Sequence, residues 1–298
     1  MAAKLLDGKA IAQDIRERLR GKVEELTGQG AQPGLGVVLV GSDPASTSYV
    51  NAKERACEEL GIKSVDHRLA EDTSEAEVLR IVEELNRDES VHGILVQLPL
   101  PDQISTERVT MAIDPDKDVD GFHPVNLGRL LRGQECFWPC TPHGVLEILS
   151  AAGVKPEGKH AVIVGRSNIV GKPLATMLMQ KSETGNATVT VCHTRTPDIA
   201  AYTRQADIVI AAAGKPGTVT GEMLKSGAVA IDVGVNRVED ASKKKGYRLV
   251  GDIDFESASE VASMITPVPG GVGPLTITML LANTVLSAER HLQRRKRQ

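Results

Sequence analysis

The chain has 298 residues, with 35 Lys plus Arg against 39 Asp plus Glu and a net charge of −4. At about 100–200 residues per domain this length predicts two domains, each able to build a core without disulfide or metal staples. Apolar residues at 41 % and charged residues at 25 % argue against collagen-like, disordered and disulfide-scaffold classes, and mild acidity with 2 % aromatics argues against a nucleic-acid binder.

The N-terminal stretch MAAKLLDGKAIAQDIRERL mixes acids into its apolar residues and does not read as a signal or transit peptide. Ile11, Ile15, Leu19 and Val23 recur every fourth residue and predict one apolar helix face. GLGVVLVG (34–41) is a short β-branched run and predicts a buried strand. A helix is expected from about Ser46 to Leu60, stopped by Gly61, and a strand near Ile62–Leu69. Ser74 with Glu77 reads as a capping box ahead of Val78, Leu79, Ile81, Val82 and Leu85. GILVQL (93–98) is a second buried strand, stopped by Pro99 and Pro101. This alternation predicts a parallel α/β sheet.

A boundary is expected around 131–142, where Thr141 would cap a helix with Pro142 at its first position and Gly153 past its end. Strand signals then return at HAVIVG (160–165), ATVTVCH (187–193), ADIVIAAAG (207–214) and AVAIDVG (228–234), followed by a segment RLVGDID (248–254). They form a second doubly wound unit. A Gly/Pro-rich loop, TPVPGGVGP (266–274), leads into a final helix to about His291, and the tail QRRKRQ reads as a solvated helix end. No apolar run is expected to be long and apolar enough to cross a membrane, since a span needs about 20 residues. Cys57, Cys136, Cys140 and Cys192 are few and irregularly spaced, which suits reduced cytosolic thiols and no metal.

Strand HAVIV runs into Gly165-Arg166-Ser167-Asn168-Ile169-Val170-Gly171 and then a helix. Such a turn offers backbone N–H groups to a phosphate, although Ser167 stands where a dinucleotide fingerprint has its second glycine. A tight turn without a ligand would look the same. The following strand ends in Cys192-His193-Thr194-Arg195, with no acid to grip a ribose 2′-hydroxyl. Arg166, Thr194 and Arg195 suit a 2′-phosphate instead, which favours NADP over NAD, unless an arginine simply faces solvent.

Ser46, Tyr49 and Lys53 share one helix face, where a Tyr and a Lys one turn apart could stack a flat substrate and carry a proton. A surface Tyr–Lys pair has the same spacing. Gln97 falls at a strand end, the place where open α/β sheets bind ligands. Asp116, Asp118 and Asp120 alternate as in a calcium loop but lack its twelfth-position Glu. One of them, held by a turn, could instead accept two hydrogen bonds from an amino-pyrimidine edge.

The segments VGSDPASTSYVNAKERACEELGI, VQLPLP, DKDVDGFHPVNLGRL, PCTPHG, VGRSNIVGKP and TPVPGGVGPLT, in this order, resemble the bifunctional methylenetetrahydrofolate dehydrogenase/methenyltetrahydrofolate cyclohydrolase family. The resemblance runs from about residue 4 to the last helix. Leu275 replaces a usual Met and Thr194 a usual Ser. It implies a folate-binding catalytic domain over 1–138 plus about 274–298, and a Rossmann-type NADP-binding domain over 139–273. The last helix would return to the first domain. It implies NADP-dependent oxidation of 5,10-methylenetetrahydrofolate and hydrolysis of the methenyl product to 10-formyltetrahydrofolate, in one cleft between the domains. By the same resemblance Lys53 is the cyclohydrolase lysine with Gln97 as its partner. Tyr49 stacks on the aminobenzoate ring near Ser46, and Asp120 binds the pterin. Pro269, Gly270 and Gly271 close over folate, and Gly165, Arg166, Ser167, Thr190, Thr194 and Ile231 contact the cofactor. A cytoplasmic homodimer serving one-carbon metabolism and purine biosynthesis is also implied. A dehydrogenase acting on a related pterin, or one that has lost the cyclohydrolase activity, and an inactive dinucleotide-binding sensor are the competing functions. Retained Lys53 and Gln97 count against the loss, and intact Tyr49, Lys53, Gln97 and Asp120 count against the sensor.

Overall fold

The computed structural model describes residues 3–243 and 246–297; Gln298 of the basic tail and the first two residues of the N-terminal segment lie outside them. The chain runs β1 (Lys4–Leu5), α1 (Gly8–Gly28), β2 (Gly34–Val40), α2 (Pro44–Leu60), β3 (Lys63–Leu69), α3 (Glu75–Arg87) and β4 (Gly93–Val96). It continues through α4 (Thr106–Ala112), α5 (Pro124–Leu131), α6 (Cys140–Ala151), β5 (His160–Val164), α7 (Gly171–Met179), β6 (Thr188–Cys192), α8 (Ala200–Thr203) and β7 (Ile208–Ala211). Then follow β8 (Val229–Asp232), β9 (Asn236–Glu239), β10 (Tyr247–Val250), α9 (Phe255–Val261), β11 (Met264–Ile265) and α10 (Val272–Arg295). Two compact units result. One comprises Met1–Ala12 with Thr141–Thr276, the other Gln13–Cys140 with Ile277–Gln298.

In the unit of Gln13–Cys140, β2 is buried along its whole length and sits between β3 and β4 in a parallel sheet. Its Val38 and Val40 pack on Val78, Ile81, Val82 and Leu85, the apolar stripe of α3. Ser74 caps α3 by accepting the Glu77 N–H at 3.3 Å, while the Glu77 carboxylate turns to Arg80. Helix α2 starts two residues before the expected Ser46, because Asp43 is the cap: its carboxylate accepts the Ser46 N–H at 2.7 Å, and Pro44 fits the first turn. Gly61, at φ 75°, ends it as expected. The short helices α4 and α5 had no periodic signal.

In the other unit six parallel strands take the order β1-β11-β8-β7-β5-β6. Val162, Val164, Val209, Ala211, Ala230 and Ile265 form its core. Residues 1–12 were expected with the first half of the chain; the structure groups the described residues 3–12 with this unit, because Lys4 and Leu5 pair with Met264 and Ile265. RLVGDID contributes only β10, which pairs antiparallel with the unforeseen β9. Helix α6 begins at Cys140, so Thr141 lies inside its first turn rather than capping it, and the Thr141 hydroxyl is 3.0 Å from that of Thr276.

One expectation about apolar length is overturned. Helix α10 is long and apolar enough to cross a membrane, but 67 % of its apolar window is buried, as befits a core helix. From Ile277 onward it belongs with Gln13–Cys140, where Asn283 donates to the Val119 and Trp138 carbonyls at 2.8 and 3.0 Å.

Candidate functional site

On α2, Ser46 and Lys53 are buried and Tyr49 is 39 % exposed, so the face expected from their spacing exists and presents an aromatic ring to solvent. Lys53 is only 7 % exposed. Its Nζ donates to Gln97 Oε1 at 2.9 Å. Gln97 sits just past β4, anchored by its own N–H on the Val38 carbonyl at 2.8 Å. Its Nε2 donates to the Leu98 carbonyl at 2.7 Å, which fixes the amide orientation and turns the oxygen to the lysine.

The three alternating acids part company. Asp116 pairs with Arg294 at 2.8 Å. Asp118 accepts from the N–H groups of Phe122 and His123 and from Asn126 Nδ2, which builds the turn. Gly121 stands at φ 77°, and a Cβ there would lie 2.6 Å from the Pro139 nitrogen, so only glycine fits. Asp120 is thereby released toward Lys53. A calcium loop is not formed, and among the described residues no group of three or more His, Cys, Asp or Glu could hold a metal ion.

Burial pulls the Lys53 ammonium below the ordinary lysine value, and Asp120, Cys140 and Cys57 pull it part of the way back. Burial pushes the Asp120 carboxyl up, opposed by Lys53 and by a hydrogen bond with Cys140. The sequence marks Cys140 only as a reduced thiol. It is fully buried beside this pair, with Sγ donating to the Val119 carbonyl at 3.3 Å and its thiol held well above the ordinary value by burial. The site thus joins a buried amine whose charged form burial disfavours to a carboxyl group, on a helix face that also carries an exposed ring.

In the unit of Thr141–Thr276, Gly165 follows β5 at φ 137°, and a Cβ on it would lie 2.1 Å from the Ala212 carbonyl oxygen. A Cβ on Gly171 would lie 2.2 Å from the Gly165 oxygen. These two glycines let the turn close tightly onto the start of α7. Ser167 Oγ accepts the N–H groups of Val170 and Gly171 at 3.1 and 3.4 Å, taking over the capping of α7. Arg166, Ser167, Asn168 and Ile169 remain exposed. Among the described residues their N–H groups have no partner, so the turn has donors left for a phosphate. Gly165 N–H bonds the Cys192 carbonyl at 2.9 Å and sets this turn beside the end of β6, where Thr194 and Arg195 are exposed. Neither Arg166 nor Arg195 has a carboxylate partner among the described residues. The residues therefore fit a dinucleotide with an extra phosphate.

Two expected cofactor residues sit differently. The Thr190 hydroxyl is 3.0 Å from His160 Nε2, and His160 is the first residue of β5, at the opposite end from Gly165. The Ile231 side chain is fully buried in β8, which leaves its backbone for any contact with a cofactor. In the loop before α10, Pro269 is exposed while Gly270, at φ 110°, and Gly271 pack closely on the start of α1; a Cβ on Gly8 would lie 1.8 Å from the Gly271 oxygen.

Sequence reasoning missed two buried carboxylates at the carboxyl ends of β7 and β8. Asp232 accepts the N–H groups of Gly234, Asp252 and Ile253 at 3.0, 2.9 and 2.8 Å. Asp252 accepts those of Ala213 and Gly214 at 2.6 and 2.8 Å and Asn236 Nδ2 at 2.8 Å. The flanking glycines were the available signal: a Cβ on Gly234 or Gly251 would enter one of these carboxylates.

Comparison with known proteins places this geometry. The family model for the tetrahydrofolate dehydrogenase/cyclohydrolase catalytic domain matches residues 6–120, and that for its NAD(P)-binding domain matches 139–292. The chain is 57 % identical to the bifunctional protein FolD of Moorella thermoacetica, over 97 % of this chain and 100 % of that protein. It is 56 % identical to the bifunctional protein FolD of Chlorobium luteolum, over 96 % and 98 %. Among solved structures, the bifunctional enzyme FolD-methylenetetrahydrofolate dehydrogenase/cyclohydrolase of Campylobacter jejuni is 51 % identical, with a TM-score of 0.91 over 97 % of this chain and 99 % of that one. The FolD of Trypanosoma brucei, solved with NADP cofactor and inhibitor, is 42 % identical, with a TM-score of 0.92 over 97 % and 98 %. The chain belongs to the tetrahydrofolate dehydrogenase/cyclohydrolase family.

Proposed function

We propose that the chain oxidises 5,10-methylenetetrahydrofolate to the methenyl compound with NADP and hydrolyses that product to 10-formyltetrahydrofolate, with Lys53 as the proton carrier of the second step. The buried Lys53 amine on Gln97 Oε1, beside Asp120, is the observation that carries this reading. Asp120 is assigned to the amino-pyrimidine edge of the pterin, because Asp118 already serves the turn. Tyr49 supplies the stacking face for the aromatic middle of the substrate. Ser46 lies one turn away on the same face. Pro269, Gly270 and Gly271 are assigned to the folate, where glycine permits close backbone approach. Gly165, Arg166, Ser167 and Thr194 are assigned to the cofactor, with Arg166 and Arg195 at its 2′-phosphate. NADP, when bound, accepts the hydride from the methylene carbon. The two flanking folate nitrogens stabilise the cation that is left, so the protein mainly aligns the carbon.

In hydrolysis a water oxygen adds to the methenyl carbon. Its proton passes to the neutral Lys53 amine, for which burial and the cationic substrate both favour the free base. The carbon–N5 bond then breaks as Lys53 returns its proton to N5 and the adduct's remaining hydroxyl proton leaves to solvent, so that the carbon–oxygen double bond forms and the formyl group stays on N10. Gln97 holds the amine through Oε1 and steers its remaining protons and lone pair. A homodimer and a cytoplasmic location complete the proposal; four free, buried cysteines suit a reducing compartment.

Lys53→Met keeps the stem and removes the amine. Methenyl absorbance, corrected for spontaneous hydrolysis, should show the cyclohydrolase step slowed by at least ~10²-fold, with dehydrogenase activity partly retained. Wild-type hydrolysis in a folded variant would remove Lys53 from the mechanism.

A further inference from the structure

A cavity of about 110 Å³ lies at the amino end of β4, with His92, Lys117, Ser287, Arg290, His291 and Arg294 on its wall. His92 precedes the strand and Gln97 follows it, so the cavity and the lysine–glutamine pair are at opposite ends, about 16 Å apart along the strand. Two buried side-chain nitrogens on the wall, Arg290 Nε and His291 Nε2, have no hydrogen-bond partner among the described residues. Buried polar atoms are normally satisfied, so Arg290 Nε–H asks for an acceptor, and His291 Nε2 asks for one in its Nε2–H tautomer.

The wall is cationic and its carboxylates are already engaged. Lys117 donates to the backbone carbonyls of Leu85, Asn86 and Asp88 at 3.0, 2.8 and 2.8 Å, which fixes its ammonium without cancelling the charge. Arg290 stacks on Phe137, 4.8 Å from the ring centroid, and pairs through Nη2 with the exposed Glu135 at 2.7 Å, so its Nε is rigidly presented. Asp116 is held by Arg294 at 2.8 Å and Arg129 at 3.8 Å. Asp114, the other acid on the wall, accepts the Asp116 N–H at 2.8 Å. His92 Nδ1 accepts the Gly34 N–H at 3.1 Å, which puts its proton on Nε2 as a further donor. Its ring meets His291 edge to face, with centroids 5.4 Å apart. An adjoining groove of about 430 Å³ shares Asp116, Arg290 and Arg294 and adds Arg129, Arg297 and Glu135.

We propose that this cavity is a binding site for a tetrahedral oxyanion of the phosphate class, taken up free or as the terminal group of a small monoester whose body lies in the groove. Its oxygens accept from Arg290 Nε–H and His291 Nε2–H in the field of Lys117. The site is separate from the folate and cofactor positions assigned above.

The test uses the whole protein saturated with NADP, so that phosphate cannot occupy the cofactor's own anion position. Imidazole resonances are followed by NMR at constant ionic strength, with inorganic phosphate in one titration, glycerol 3-phosphate in a second and chloride in a third. His291→Gln assigns the His291 signal among the seven histidines. Saturable shifts of His92 and His291 with phosphate but not chloride are expected, weakened at least about tenfold in Arg290→Gln and in His291→Gln, while dehydrogenase turnover stays at the wild-type rate. Tighter binding of the monoester assigns the groove to its body, and equal or weaker binding assigns the site to the free ion. Linear shifts, shifts matched by chloride, or saturation unchanged in both variants would overturn the proposal and leave the cavity to solvent.

Discussion

Lys53 and Asp120 each have an environment that disfavours charge, and each is partly stabilised by the other. Removing either partner therefore changes the other. Asp120→Ala should lower both half-reactions together, because one bound substrate serves both. A lost carboxylate contact worth ~1–3 kcal/mol predicts a fall in folate affinity of several-fold to a few hundred-fold. Measuring KM for the folate in the oxidation and hydrolysis assays separately checks this; unchanged values in a folded variant would reduce Asp120 to a turn residue. The helix face of Ser46, Tyr49 and Lys53 was legible because helical spacing is local, and Gln97 because a strand end is local. The approach of Asp120 to Lys53 was not, since it joins residues far apart in the chain. Nor could spacing separate Asp118, which is spent on Phe122, His123 and Asn126, from Asp120. Thr190 and Ile231 came from resemblance alone, and the structure gives their side chains to His160 and to the core.

At the scale of elements, apolar periodicity exposed α1, β2, α3, β4 and β5, whose burial follows their own sequence. It was silent on β1, where two residues carry no pattern and pairing with Met264 and Ile265 alone makes the strand. It was equally silent on β9, which pairs only with β10. The turn after β5 was legible, and it supports a prediction: Arg166→Ala should weaken NADP far more than NAD. A lost charge-assisted contact of roughly 1.5–3 kcal/mol corresponds to about ten- to a hundred-fold. Steady-state kinetics with both cofactors decides it, and equal losses would remove the 2′-phosphate assignment. The Asp252 contacts were illegible, because they tie together segments that follow β7, β8 and β10. Asp252→Asn puts an amide donor where either the backbone N–H groups of Ala213 and Gly214 or the Asn236 amide needs an acceptor. A loss of ~1–3 kcal/mol is expected in denaturant unfolding. The double change Asp252→Asn with Asn236→Asp restores one acceptor for each donor and should recover most of it. A double variant no more stable than the single one would show that this contact is not the source of the loss.

Over the whole molecule, pH acts through buried groups that pull in opposite directions. Burial, with His291 and Lys117 nearby and Asp88 opposing, lowers His92 from 6.5 to about 4. Its Nδ1 also accepts the Gly34 N–H, a bond that a proton on that atom would break. Between these two values the unfolded chain binds a proton that the folded chain refuses. His92 therefore contributes stability that is present above pH 6.5 and lost as pH falls toward 4, by up to about 3 kcal/mol. Asp118 and Asp232 are raised by burial from 3.8 to about 6. The folded chain holds their protons in that window and the unfolded chain does not, so acidification from 6 to 4 gains stability from them. The wild-type curve is consequently a sum of opposing contributions, and the informative quantity is a difference between proteins. His92→Gln keeps an acceptor for Gly34 and removes the titration. Urea unfolding at pH 7 and pH 4 should show the variant losing less on acidification than the wild type, or gaining, by about 3 kcal/mol in relative terms. Parallel pH dependence of the two proteins would mean that His92 takes up its proton in the folded chain as readily as in the unfolded one.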